Sequence, residues 1–196
     1  DDVRPTLTVD RYVDDVIELA EWLVEHLGVE RVAVLGHSWG SALATTAVAR
    51  RPDLFSVYVG VGQVVWFDEA ERVGWRWARD EAVRRGEQQA VDDLESLAPY
   101  PGPRDSSSPF LPRLASERSW VTRFGGFAAY RDSCDYFSYG ELTTGWTEEA
   151  LTSSMDGSAL QGEVVVPQLR DLDLRGIRRL DVPVVQVLGR FDRMTP

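Results

Sequence analysis

The segment VLGHSWGSALA, residues 34–44, constrains this chain more than any other stretch. An apolar run ends in a Gly-x-Ser-x-Gly turn and passes straight into small, helix-compatible residues. A run that is apolar on both faces is the pattern of a central parallel strand, and parallel strands need crossover connections, here helical ones. The five letters alone are a weak signal. Their weight comes from the strand before and the helix after.

The surrounding chain supplies that context. From Val9 to Leu27, apolar side chains at Val13, Val16, Ile17, Ala20, Leu23 and Leu27 follow helical spacing, and Gly28 supplies the stop. RVAVLG (31–36) reads as a buried strand, Trp39–Arg50 as a helix closed by Pro52, and FSVYVGVG (55–62) as a second buried strand. The order helix, strand, helix, strand predicts an α/β fold with a parallel sheet.

After Gln63 the texture changes to a long, tryptophan-dense helical stretch. Asp68 with Glu71 three residues on has the spacing of a capping box, opening a helix that runs to about Gly86. APYPGPRDSSSP (98–109) reads as a mobile surface loop, and a further helix starts near Thr147. DVPVVQVLG (181–189) restores the buried-strand signature, so residues 64 to about 175 form a mainly helical insertion between strands of one sheet. No internal repeat is present.

Composition narrows the function classes. The 196 residues carry 32 acidic and 21 basic side chains, a formal net charge of −11, which disfavours nucleic acid and anionic membrane surfaces as partners. No stretch approaches a membrane span. The single cysteine, Cys134, excludes an internal disulfide and any multi-cysteine metal site, and reads as a small buried hydrophobe. The acidic residues lack a His/Cys ligand cluster and the glycine turn lacks a dinucleotide fingerprint, so no metal or organic cofactor is expected.

A serine hydroxyl is a poor nucleophile. Chemistry on it needs exposure, a base, and donors for the oxyanion that forms. The glycines of the turn let the chain bend sharply and raise Ser38 above the sheet edge, and the backbone N–H of Trp39, at the helix N-terminus, becomes one oxyanion donor.

GHSWGS after a buried strand, VGVGQ closing the next, and VPVVQVLGRFDRMTP after a helical insertion together resemble the α/β-hydrolase fold. More narrowly they are similar to the capped group around the proline iminopeptidases (prolyl aminopeptidases), and the resemblance covers essentially the whole chain. It implies a partial hydrolase core of parallel strands with flanking helices plus a helical cap: residues 1–63 as the first core part with the nucleophile turn, 64–175 as the cap, and 176–196 as the second core part with the acid strand. It also implies that Asp192, in LGRFD, orients the catalytic histidine.

That histidine follows the acid in the family's order. Here only His26 and His37 exist, and both precede Asp192. His37 is expected to point away from the side that presents Ser38, and His26 to meet the C-terminal carbonyls of its helix. The expectation is an internal fragment of a larger hydrolase, with the base and the second oxyanion donor outside it, and with sheet edges and faces that absent elements would cover. Loss of the base costs roughly four to six orders of magnitude in rate, so the fragment alone would be nearly inert.

The aromatic load of the insertion (Trp66, Trp75, Trp77, Trp120, Tyr130, Tyr136, Phe137, Tyr139 and Trp146) suits a cap over an apolar pocket, with most of these rings in the cap core. Gln63, Trp66, Tyr139 and Trp146 are the candidates for lining the substrate pocket. Proline iminopeptidases hold the substrate's α-ammonium on cap carboxylates; Asp132, Asp135, Glu141 and Glu163 are at hand, none singled out by a motif. The expected activity is acyl transfer through an acyl-enzyme on Ser38, as an aminopeptidase of proline iminopeptidase type or a related esterase or amidase, acting on a small molecule or short peptide, by default in the cytoplasm. The alternative is a non-catalytic hydrolase-fold module that binds a ligand in the capped pocket.

Overall fold

The computed structural model describes residues 2–104, 109–128, 130–133 and 145–196. Cys134, Asp135, Tyr136, Phe137, Tyr139 and Glu141 lie outside the described residues.

The chain begins with α1 (Val9–Leu27), β1 (Val32–His37), α2 (Trp39–Arg50) and β2 (Phe55–Val61). Helix α1 starts where the Thr8 hydroxyl accepts the Arg11 N–H at 3.1 Å, and ends at Gly28 in the left-handed region (φ 63°). Then come α3 (Phe67–Arg85), α4 (Gln88–Ser96), α5 (Phe110–Arg123), α6 (Glu148–Val164) and β3 (Val184–Val187). The three strands form a parallel sheet in the order β1-β2-β3, in which Leu35 pairs with Val59, and Val59 with Val185.

One face of this sheet packs on α1 and α2 through Val13, Ala20, Leu43, Ala47, Val48, Phe55 and Tyr58. A second core gathers Ala78, Ala82, Leu94, Val121 and Phe124 of α3, α4 and α5, and the short cluster Ala42, Val64, Phe67 and Leu169 joins the two. Trp75 and Trp120 belong to the second core, their indole N–H groups donating to the Leu94 carbonyl and the Asp93 carboxylate. A buried ion pair ties the helices to the chain leading into β3, with Arg170 Nε 3.0 Å from Asp68 Oδ1.

Three expectations change. The strands, read as buried, are covered on one face only, by α1 and α2; Leu35 on the other is 66% exposed and all of β3 is exposed, which is the open sheet face also expected. Asp68 and Glu71 form no capping box, since the N-cap position of α3 is Trp66 with no side-chain cap, and both carboxylates are drawn to arginines distant in sequence. The segment from Ala98 is not wholly a surface loop, because Tyr100 is buried and its hydroxyl donates to Glu71 Oε2 at 2.8 Å. Helices α4 and α5 fall within the helical insertion expected over 64–175, although neither is assigned individually from the sequence. Among the described residues, no helix is long and apolar enough to cross a membrane.

Candidate active site

Parallel strands carry their C-terminal ends to one edge, and the candidate residues collect there. Ser38 lies one step beyond the last β1–β2 pair, its N–H donating to the Val61 carbonyl at 2.9 Å. The next residue, Gly62, donates its N–H to the Val187 carbonyl at 3.0 Å, at the end of β3. Three strand tips are thereby joined side by side.

Ser38 adopts φ 55° and ψ −131°, a backbone state that disfavours any residue with a Cβ. Its neighbours hold it there. The Ser41 N–H donates to the Ser38 carbonyl at 2.9 Å, and the buried Ser41 hydroxyl accepts the Val64 N–H at 2.9 Å, pinning the turn to the chain after β2. Gly36 makes the crossing of strand and helix possible, because a Cβ there would stand 2.5 Å from the Gly40 carbonyl oxygen and 2.7 Å from the Ser41 Cα. At Gly40 a Cβ would meet nothing within 4 Å, so only the first glycine of the motif is sterically required. Among the described residues the Trp39 N–H, first in α2, has no hydrogen-bond acceptor.

Asp192 sits in the turn after β3. Its Oδ1 accepts the N–H groups of Met194 (2.8 Å) and Thr195 (3.0 Å), and its Oδ2 accepts the Thr195 hydroxyl (2.7 Å). A Cβ on Gly62 would come within 3.6 Å of Oδ2, which puts the carboxylate beside the tip of β2, next to the residue that binds the Ser38 N–H. Ser38 and Asp192 therefore occupy the same end of the sheet.

A cavity of about 510 Å³ opens over Ser38 and Trp39. Its walls are aliphatic for the most part, with Leu111 and Leu114 from α5, Val165 and Leu169 from the end of α6 and the turn after it, and Met194 and Thr195 from the acid turn. Within this wall sit Glu71 and Arg118, whose carboxylate and guanidinium pair directly. Glu117, the residue before Arg118 in α5, is buried, its carboxyl pushed up to about 8 by burial and by the Glu71 charge, with Arg118 partly offsetting the shift. Burial and the neighbouring carboxylates also raise the Tyr100 hydroxyl, while burial opposes the charge on Arg118 and the carboxylates around it more than restore it.

Of the other expected pocket residues, those that are described do not line this cavity. Gln63 does not line this cavity: its amide is spent on Tyr58, Thr45 and the Val64 carbonyl, and it borders the adjoining cleft that contains Asp192. Trp66 pairs with Asp173 across an isolated β-bridge and lies under the Arg175 guanidinium, 3.6 Å from the ring centroid. Trp146 is exposed, ahead of α6. Tyr139 lies outside the described residues. Most of the described rings lie in cores and surface stacks, in line with their assignment to the cap core, while mainly aliphatic side chains, with Phe67 and Trp39, line the space over Ser38. The spacing of Leu111, Leu114, Ala115 and Arg118, at i, i+3, i+4 and i+7, is the signal that could have found α5 and its cavity face.

His37 is exposed on the open sheet face beside Leu35, and His26 stacks on Trp22 with ring centroids 4.4 Å apart. Neither lines the cavity. A second cleft of about 580 Å³, bounded by Arg85, Arg123, Arg131 and Arg193, contains neither Ser38 nor Asp192. Among the described residues no group of three His, Cys, Asp or Glu side chains is placed to hold a metal ion.

Comparison with known proteins agrees with this fold. The family model for the alpha/beta hydrolase fold matches residues 2–196. The chain is 35% identical over 75 residues to the "Probable aminopeptidase YbaC" of Bacillus subtilis (strain 168), a segment covering 38% of this chain and 24% of that protein. It is 38% identical over 55 residues to "Strigolactone esterase D14" of Arabidopsis thaliana, covering 28% of this chain and 19% of that protein. The crystal structure of VinJ superimposes with a TM-score of 0.52 at 15% identity, over 98% of this chain and 60% of VinJ. The chain thus covers less than two thirds of each of these proteins.

Proposed function

The chain belongs to the alpha/beta hydrolase fold family, and from that premise we propose that it carries the nucleophile and the acid of a serine hydrolase acting by acyl transfer. Ser38 attacks the substrate carbonyl while its proton passes to a base. The tetrahedral oxyanion lies against the Trp39 N–H at the positive end of α2. Collapse expels the leaving group and leaves an acyl-enzyme, which water then hydrolyses by the same route. Asp192 accepts the N–H of the imidazole that serves as base, fixing its tautomer and stabilising the imidazolium. That imidazole is neither His26 nor His37, neither of which lines the cavity; the family's order Ser, Asp, His places it after the acid. The helices between β2 and β3 act as a cap over the acyl-binding space.

The observation that carries this reading is the strained Ser38 backbone at the mouth of a cavity, with Asp192 at the same strand ends. Strain of this kind persists only where the surroundings enforce it, and it collects at reacting groups. The aliphatic cavity wall favours an ester or amide with an apolar acyl group. Aminopeptidase action is a second reading, supported by the likeness to the Bacillus subtilis protein over 75 residues.

The test is hydrolysis of a short-chain p-nitrophenyl ester and of a prolyl p-nitroanilide by the intact protein and its Ser38→Ala variant. Turnover of either substrate is expected to fall by about a thousandfold or more in the variant. Equal turnover by the variant would remove Ser38 from the mechanism. No turnover of any ester or anilide by the intact protein would favour a ligand-binding module.

A further inference from the structure

The polar patch in the wall of the Ser38 cavity is built asymmetrically. Both Glu71 oxygens are engaged, Oε1 by Arg118 and Oε2 by the Tyr100 hydroxyl at 2.8 Å, and the Glu71 side chain is 2% exposed. It has little left to offer a ligand. Arg118 differs. Its side chain is 29% exposed and lines the cavity; among the described residues, of its five N–H donors one group binds Glu71 while another reaches only the Met194 sulfur at 3.5 Å, a weak acceptor. The side of the pair that faces the cavity is therefore a donor surface set among aliphatic side chains.

We propose that Arg118 selects the substrate of this cavity, donating guanidinium N–H bonds to an uncharged oxygen acceptor, a carbonyl other than the one Ser38 attacks, on an otherwise apolar ester or amide. Charge explains why the acceptor is neutral. Glu71 balances Arg118, and Glu117, its carboxyl raised to about 8, is mostly protonated at neutral pH, so the patch has almost no net charge to spend. A substrate ammonium would meet donors instead of a free carboxylate. A substrate carboxylate would add an unbalanced anion to a buried site beside Glu71. Met194, which Arg118 touches, is bound through its N–H to Asp192, so a carbonyl docked on Arg118 lies against the turn that carries the acid.

This inference rests on the hydrolase reading for what happens to the substrate, but its binding step can be measured without turnover. Calorimetric titration of the intact protein carrying Ser38→Ala uses three probes with one core: N-methyl-3-phenylpropanamide, 3-phenylpropanoate and 3-phenylpropylamine. The amide is expected to bind about tenfold more tightly than either ion. Adding Glu71→Gln with Arg118→Met removes both charges together, leaves no unpaired carboxylate, and is expected to cut amide affinity by about tenfold. Adding Arg118→Lys instead keeps the charge on Glu71 but loses the planar fork, and a smaller loss, about threefold, is expected. Tightest binding of either ion, or amide affinity unmoved by both changes, would overturn the proposal. Amide selectivity without any esterase or amidase activity in the serine-bearing protein would instead keep the binding role and reject the hydrolase reading.

Discussion

Glu117 shows how much of this molecule is decided at single residues. A carboxyl buried beside Glu71 is stable only when protonated, and its value of about 8 lies well above its ordinary 4.5. Between those two pH values the unfolded chain has released the proton and the folded one retains it. Folding stability from this group is therefore fully present below about pH 4.5 and is lost progressively as pH rises to about 8. The loss is on the order of 5 kcal/mol, at roughly 1.4 kcal/mol for each tenfold change in proton affinity. Replacing Glu117 with Gln removes the ionisation while keeping the shape. In thermal melts of the intact protein, the variant's advantage over wild type should grow steadily from pH 5 to pH 8.5. A difference that stays constant across that range would show that Glu117 does not titrate in a buried site.

Among the elements, the crossing of β1 and α2 sets the position of Ser38, and its two glycines make separable predictions. Gly36→Ala drives a methyl into helix backbone and should cost about 1–3 kcal/mol in urea unfolding, because α2 has to lift from the strand. Gly40→Ala adds a methyl in open space within a helix and should be neutral or stabilising by up to about 1 kcal/mol. Equal losses at both sites would mean that the turn, rather than the packing, demands glycine. The same elements show what could be read from sequence. Helices α1 and α2 and strands β1 and β2 were legible almost to the residue, because period, cap and glycine stop are local signals that agree. Helix α5 was not: Pro112, close behind a proline-rich loop, hides a start whose apolar face shows only from Leu111 onward. Glu71 misled for the opposite reason, since its spacing from Asp68 is local while its partner Arg118 lies 47 residues on. Ser38 and Asp192 were legible as motif positions. The aliphatic cavity wall was not, because it is assembled from α3, α5 and the end of α6, which only tertiary packing brings together.

The whole molecule places its candidate site where an open parallel sheet favours one, at the carboxyl ends of the strands, with helices roofing the space above. One sheet face is packed and the other presents Leu35, Val185 and Val187, so the rigid support of Ser38 comes from the α1–α2 side. On that side Tyr58 and Ser41 link the sheet to the turn through buried hydrogen bonds. The central claim is that this support holds one hydroxyl ready for attack. Its most direct measurement is covalent labelling of the intact protein by a fluorophosphonate, with the adduct located by peptide mass spectrometry. The account predicts one adduct, on Ser38, absent from Ser38→Ala and formed at least about a hundredfold more slowly in Asp192→Asn. An adduct on another residue, or labelling of Ser38→Ala at the wild-type rate, would contradict it.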